Sequence, residues 1–197
     1  MIKLVLIDAG HGEETPGKRS PDGTLREWKF NRQVASLLME CLVRGGVEAR
    51  CIVAENNDVS LAERCRRVNG VCKEIGKDNV LLVSIHANAH GDGSVWTNAH
   101  GWEIFSAPGA TRSKSRAANI AKAFTTAFGG DNIRGAKDEN FYILRHTLCP
   151  AVLTENFFMT NKSECAYMKT KAGQYRIAEV ISQGIFYTML KDAKGLD

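Results

Sequence analysis

Short, almost wholly apolar runs alternate along this chain with amphipathic stretches of helical period, and that alternation limits its fold more than any other feature. Residues 4–7 (LVLI) form one apolar run, cut by Asp8, and residues 80–86 (VLLVSIH) form another that closes on His86. Runs of this length are strand-sized and too short to span a bilayer. Between them, Phe30, Val34, Leu37, Leu38 and Cys41 fall on one helical face before Gly45-Gly46, and Thr24-Leu25-Arg26-Glu27 reads as a capping box at the helix start. Residues 47–53 are β-like, after which Leu61, Cys65, Val68, Cys72 and Ile75 recur at helical steps up to Gly76.

The pattern continues to the end of the chain. Residues 101–105 predict a shorter strand, and residues 112–128 a helix with Ala117, Ala121, Phe124 and Phe128 on one face. Residues 141–144 and 151–154 predict two more strands, and residues 174–190 a last helix that turns Ile177, Ile181, Ile185 and Tyr187/Thr188 inward. Strands alternating with helices predict an α/β three-layer sandwich, a mostly parallel sheet of about six strands with helices on both faces. The 197 residues, 44% apolar and without repeat or linker, predict a single catalytic domain over residues 1–197.

Several function classes drop out. A net charge of +4 without a concentrated Lys/Arg stripe argues against nucleic acid as a partner. The six cysteines contain no C-x-x-C pair and lie mostly in apolar runs or on periodic faces, so they are expected as buried free thiols of a chain folded in a reducing compartment. The first apolar stretch is too short for a signal peptide, which predicts a chain made in the cytoplasm with no membrane association. No G-x-S-x-G elbow, P-loop or G-x-G-x-x-G follows a strand, so serine hydrolase and nucleotide-binding readings lack their minimal parts.

In an open parallel sheet, ligands bind beyond the carboxyl ends of the strands. His11 follows the first strand, His86 closes the third and Glu155 closes the last, while Glu27 opens the helix that returns to the same edge. Two imidazoles with a carboxylate are a recurrent catalytic zinc set, and a second carboxylate can move the proton of an activated water. Each residue also has a plainer reading: Glu27 as the partner of Thr24 in the capping box, His11 as a loop residue between glycines, His86 as a hydrogen-bonded strand end. Glu155 is harder to explain away, because an acid ending the apolar run Ala151-Val152-Leu153 is costly to bury without a partner. Arg145 and Asn88 are candidates for substrate contact, with His90, His100 and His146 as weaker ones.

Ile7-Asp8-Ala9-Gly10-His11-Gly12, Glu27, Arg64 with Val68-Asn69, Ser84-Ile85-His86-Ala87-Asn88-Ala89, Phe141-Tyr142-Ile143-Leu144-Arg145 and Pro150-Ala151-Val152-Leu153-Thr154-Glu155 stand in the order of a known family. Over about residues 2–190 the chain resembles the zinc-dependent N-acetylmuramoyl-L-alanine amidases of the amidase-3 type. The resemblance implies a phosphorylase/hydrolase-like fold, Zn2+ held by His11, Glu27 and His86, and Glu155 as the catalytic glutamate. It implies peptidoglycan as substrate, cut between the lactyl group of muramic acid and L-alanine. The chain departs from the family pattern at residues 13–18 and at Asn156-Phe157-Phe158, and both departures are expected on the rim of the site.

Two rival readings have discriminating features. A zinc carboxypeptidase-like peptidase places its first His and Glu within one H-x-x-E, whereas His11 and Glu27 stand 16 positions apart. A non-catalytic peptidoglycan-binding module would be expected to have lost one of the four polar residues, and all four are present. The absence of a leader and of wall-binding repeats resembles phage or prophage lysins, which reach the wall through a separate pore. A housekeeping amidase whose signal was removed is the alternative, and the chain is expected as a monomer. Because the stretch from His86 to Glu155 is used up by strands and one helix, no segment is left over for an autoinhibitory plug.

Overall fold

The computed structural model describes residues 1–196. Its single sheet has six strands: β1 (Leu4–Ala9), β2 (Glu48–Cys51), β3 (Val80–Asn88), β4 (Trp102–Ser106), β5 (Ile133–Asp138) and β6 (Ala151–Phe158), in the order β2-β1-β3-β6-β4-β5. β2, β1, β3 and β6 are mutually parallel, whereas β4 pairs antiparallel with β6 and carries β5 parallel to itself. The expected α/β sandwich with a mostly parallel six-stranded sheet is therefore the architecture observed.

Six α-helices flank the sheet: α1 (Glu27–Arg44), α2 (Leu61–Ile75), α3 (Thr111–Phe128), α4 (Tyr142–Arg145), α5 (Lys162–Met168) and α6 (Lys171–Lys194). They cover the two faces unequally. Val5, Ile7, Val83, Ile85 and Val152 point to one face and join residues of α1, α3, α5 and α6 in the larger core. Leu4, Leu6, Leu82 and Leu153 point to the other, where only α2 and α4 supply helical partners. Because side chains alternate along a strand, Asp8, Ser84, His86 and Glu155 share this second, thinly covered face.

Four local expectations are corrected. Residues 142–145 form helix α4, with Phe141 as its N-cap, where the sequence predicts a strand over 141–144; a four-residue apolar run carries too little period to tell the two apart, and Ile143 and Leu144 bury themselves equally well as a helical turn. The sixth strand is instead β5, an exposed edge strand whose sequence IRGAKD has no apolar alternation. Thr24 caps nothing: its amide and hydroxyl both donate to Asp22 Oδ1, at 3.0 and 2.9 Å, and α1 begins at Glu27 without a side-chain cap. Finally, Tyr187 lies on the exposed side of α6, while its neighbour Thr188 is buried.

All six cysteines are free, and five are buried. No helix among the described residues is long and apolar enough to cross a membrane.

α3 and α6 pack against each other on the larger face, where a Cβ added at Gly184 would stand 2.5 Å from Ile120 Cα. Alanine normally stabilises a helix interior over glycine by about 1 kcal/mol. Here the sign reverses, because forcing two backbones apart costs about 1–3 kcal/mol. Gly184→Ala is therefore expected to lower Tm in a thermal melt, by roughly 2–4 °C per kcal/mol for a chain of this size.

Candidate active site

At the carboxyl end of β1 the chain turns sharply, with His11 in the left-handed region at φ 60°. Gly10 permits this turn beside β3, since a Cβ there would lie 2.2 Å from the His86 ring. The two imidazoles meet edge to face, with centroids 4.9 Å apart. Freed of any capping role, Glu27 projects between them from the first residue of α1.

One oxygen of Glu27 gathers every contact. Oε1 lies 3.3 Å from His11 Nε2 and 3.2 Å from His86 Nδ1, and accepts from the Ala87 amide at 3.2 Å. Oε2 is buried without a hydrogen-bond partner, although the residue is only 1% exposed. Burial drives the Glu27 carboxyl up, but hydrogen bonds from His11 and His86 outweigh it and hold the group well below the usual range. His86 is driven down by burial and more strongly raised by Glu27 and Glu155. A buried anion between two imidazoles calls for a compensating positive charge, which a divalent cation supplies in such a pocket. The three ligand atoms lie within 4.8 Å of one another, and the two-nitrogen, one-oxygen donor set suits zinc. The residues fit the metal.

Glu155 is the Cα partner of His86 across β3 and β6, so its carboxylate faces the same cleft. Its Oε2 is buried and unpartnered. Burial pushes this carboxyl up to about 8; His86 and Lys18 pull it down, while Glu27 and Glu103 add to the rise. A carboxyl that titrates near neutrality beside a metal-ligand set has the properties of a general base.

The cleft measures about 570 Å³. Leu61 at the start of α2 and Tyr142 at the start of α4 form exposed apolar lips, and Phe141 and Leu153 line the interior. Lys18 supplies an ammonium on the rim, within the segment where the chain departs from the family pattern.

The two residues expected to touch substrate are placed elsewhere. Asn88 donates through Nδ2 to Glu103 Oε1 at 2.5 Å, and Glu103 is also held by Arg134 and Lys137. Arg145 donates to Asn140 Oδ1 and lines a separate depression with Lys77 and Arg112. None of His90, His100 and His146 lines the cleft. The expected rim position of Asn156 and Phe157 is also corrected: both are buried.

Sequence reasoning missed the support beneath His11 and His86. Arg64, only 2% exposed, pairs with Asp8 at 2.7 Å, and Ser84 donates to the other Asp8 oxygen at 2.6 Å. The signal was present: Arg64 falls on the apolar face of α2 between Leu61 and Val68, and Asp8 ends a buried strand.

The sequence model of the N-acetylmuramoyl-L-alanine amidase family, Amidase_3, matches residues 5–187. The chain belongs to this family. An endolysin of Bacillus phage SPP1 is 29% identical over 94% of this chain and 65% of its own length. The N-acetylmuramoyl-L-alanine amidase CwlM of Bacillus licheniformis is 30% identical over 100% of this chain and 73% of its own. The crystal structure of the N-acetylmuramoyl-L-alanine amidase from Clostridium difficile 630 matches with a TM-score of 0.86 and 29% identity, covering 98% of this chain and 99% of that one. This amidase-family chain thus spans about two thirds of the phage endolysin's length.

The raised Glu155 carboxyl sets a pH dependence for the metal-free protein. Between its ordinary value of 4.5 and about 8, the folded state keeps a proton that the unfolded chain has lost. Stability is therefore highest at the acid end of that window and falls as pH rises through it. Thermal melts of metal-free wild type and Glu155→Gln across this range are expected to diverge, the wild type losing Tm relative to the variant with rising pH. Parallel curves would contradict the raised carboxyl.

Proposed function

We propose that residues 1–197 form a zinc amidase domain that hydrolyses the bond between the lactyl group of N-acetylmuramic acid and L-alanine in peptidoglycan. The observation that carries this reading is the convergence of His11, Glu27 and His86 on one point, with the unpartnered Glu155 carboxylate facing the same cleft. A carboxypeptidase-like reading would pair His11 with Glu14 of its short H-x-x-E, but Glu14 accepts from the Asp58 amide, and Glu27 is the carboxylate that lies against His11 and His86. A purely binding module has no use for a buried, unpaired acid beside a metal set.

His11, Glu27 and His86 would hold Zn2+, which when bound polarises the scissile carbonyl and lowers the pKa of neighbouring water. Glu155 takes a proton from the attacking water as its oxygen bonds to the amide carbon. The resulting tetrahedral centre collapses with cleavage of the C–N bond, and Glu155 returns the proton to the departing alanine amine. Leu61, Phe141 and Tyr142 give the peptide an apolar wall, and the excluded water strengthens the electrostatics at Glu155. The domain acts on the bacterial wall as a monomer, in the manner of a phage lysin.

Elemental analysis of the purified protein should find about one zinc per chain. His86→Ala is expected to lose both metal and activity. Glu155→Gln should retain zinc while turnover on purified peptidoglycan falls by roughly 100-fold or more, the scale of general acid–base loss. Near-normal turnover in that variant would place the base elsewhere. The isolated chain is expected to release stem peptides without an activator, as mass analysis of the products would register; an inert, zinc-loaded protein would oppose an open site.

A further inference from the structure

Arg32 lies on α1 one turn beyond Glu27, outside the cleft lining, and its guanidinium is spent entirely on backbone carbonyls. Nη1 donates to Ala9 O at 2.5 Å, Nη2 to His11 O at 2.9 Å, and both Nε and Nη2 to Glu55 O, at 3.2 and 3.0 Å. Among the described residues no carboxylate pairs with it. Arg64 approaches the same turn from α2, donating to Ala9 O at 2.7 Å and to His11 O at 3.1 Å. Asn31 completes the set with a bond of 3.1 Å to Gly10 O. Three consecutive carbonyls of the β1–α1 turn are thus gripped by side chains from two helices, and the His11 carbonyl is shared by two cations.

Two adjacent guanidinium groups cost electrostatic energy. Burial, and then the charge of Arg64, loosen the hold of Arg32 on its proton. The arrangement stabilises one thing directly: the left-handed backbone at His11, which non-glycine residues rarely adopt. In that conformation His11 Nε2 points at Glu27.

We propose that Arg32, seconded by Arg64, is the positioning residue of the metal centre, its fork on the Ala9 and His11 carbonyls holding the His11 imidazole in ligating orientation before metal arrives. This inference rests on His11, Glu27 and His86 being the zinc ligands. Supports outside the ligand shell commonly change metal affinity by about 10–100-fold.

The test uses the full chain carrying Arg32→Gln and Arg32→Lys, because Arg64 cannot be removed without stranding the buried Asp8. Zinc affinity is measured by chelator competition, and ligand geometry by the visible absorption of the cobalt-substituted protein; circular dichroism checks that each variant is folded. Positioning predicts zinc affinity about 10–100-fold weaker for Arg32→Gln, a smaller loss for Arg32→Lys, and an altered cobalt spectrum in both. If Arg32→Gln does not fold, Arg32→Lys alone decides, since it keeps the charge and loses the fork. Wild-type affinity with an unchanged cobalt spectrum in the folded variants overturns positioning and leaves the zinc reading intact. Tighter zinc binding by Arg32→Gln also overturns it, because charge repulsion would then be the main effect of Arg32. A wild-type chain that binds no zinc overturns the ligand assignment and this inference together.

Discussion

A carboxylate shut away from water needs a compensating charge, and Glu27 is the group around which the rest of the molecule is arranged. Only 1% exposed, it stands at the first residue of a helix that packs on one face of the sheet, yet its contacts are to residues at the end of β1 and β3. Meeting those contacts requires three separate backbone provisions. Gly10 lets the chain pass against the His86 ring, His11 takes a left-handed conformation costing about 1–3 kcal/mol, and α1 starts without a side-chain cap so that Glu27 turns inward.

The uneven covering of the sheet explains why the site is open. Four helices cover one face, whereas the other has only α2 and the four-residue α4. Beyond the ends of those two helices, the period-2 alternation that buries Leu82 and Leu153 presents His86 and Glu155 to a cleft. The same alternation brings Glu103 directly opposite Glu155 across β4 and β6. Like charges so placed are destabilising. The conflict is resolved on one side only: burial raises the Glu103 carboxyl, but Lys137 and Arg134 outweigh it and lower it, and Asn88 takes the remaining oxygen. Glu155, left without such partners, keeps its raised value.

How far this was legible in the sequence follows from where each signal resides. Buried strands such as β1 and β3 announce themselves by continuous apolar runs, and α1, α2 and α3 by their period. The edge strand β5 has neither signal, since four of its six residues are exposed and only Ile133 packs on the core. The four-residue α4 is too short to show a period. Thr24 and Glu27 fit a capping box equally well on spacing, and only Asp22, which takes both donors of Thr24, decides against it. For His11, His86 and Glu155, strand ends were the informative positions, and for Glu27 the start of α1. Asn88 and Arg145 lie outside the cleft lining, Asn88 bonded to Glu103 and Arg145 to Asn140.

The segment after Glu155 shows how a departure from a family pattern can be accommodated without moving Glu155. Pairing between β3 and β6 slips by one residue there, His86 facing Glu155 but Asn88 facing Phe158. Such a bulge leaves one residue over, and Phe157 takes it up at φ 68°, a conformation that favours glycine. The strain is borne by surroundings that over-determine it. Phe157 packs edge to face on Phe128 and Tyr167, and the buried Asn156 donates to the His86 carbonyl while accepting from the Trp102 indole. One residue further, Glu164 accepts from the Phe158 and Gly101 amides, tying the end of β6 to the start of β4. Asn156 therefore links the strand that carries Glu155 to the strand that carries His86. The spacing between Glu155 and His86 is held from behind the sheet edge, leaving the cleft side of both residues free for substrate.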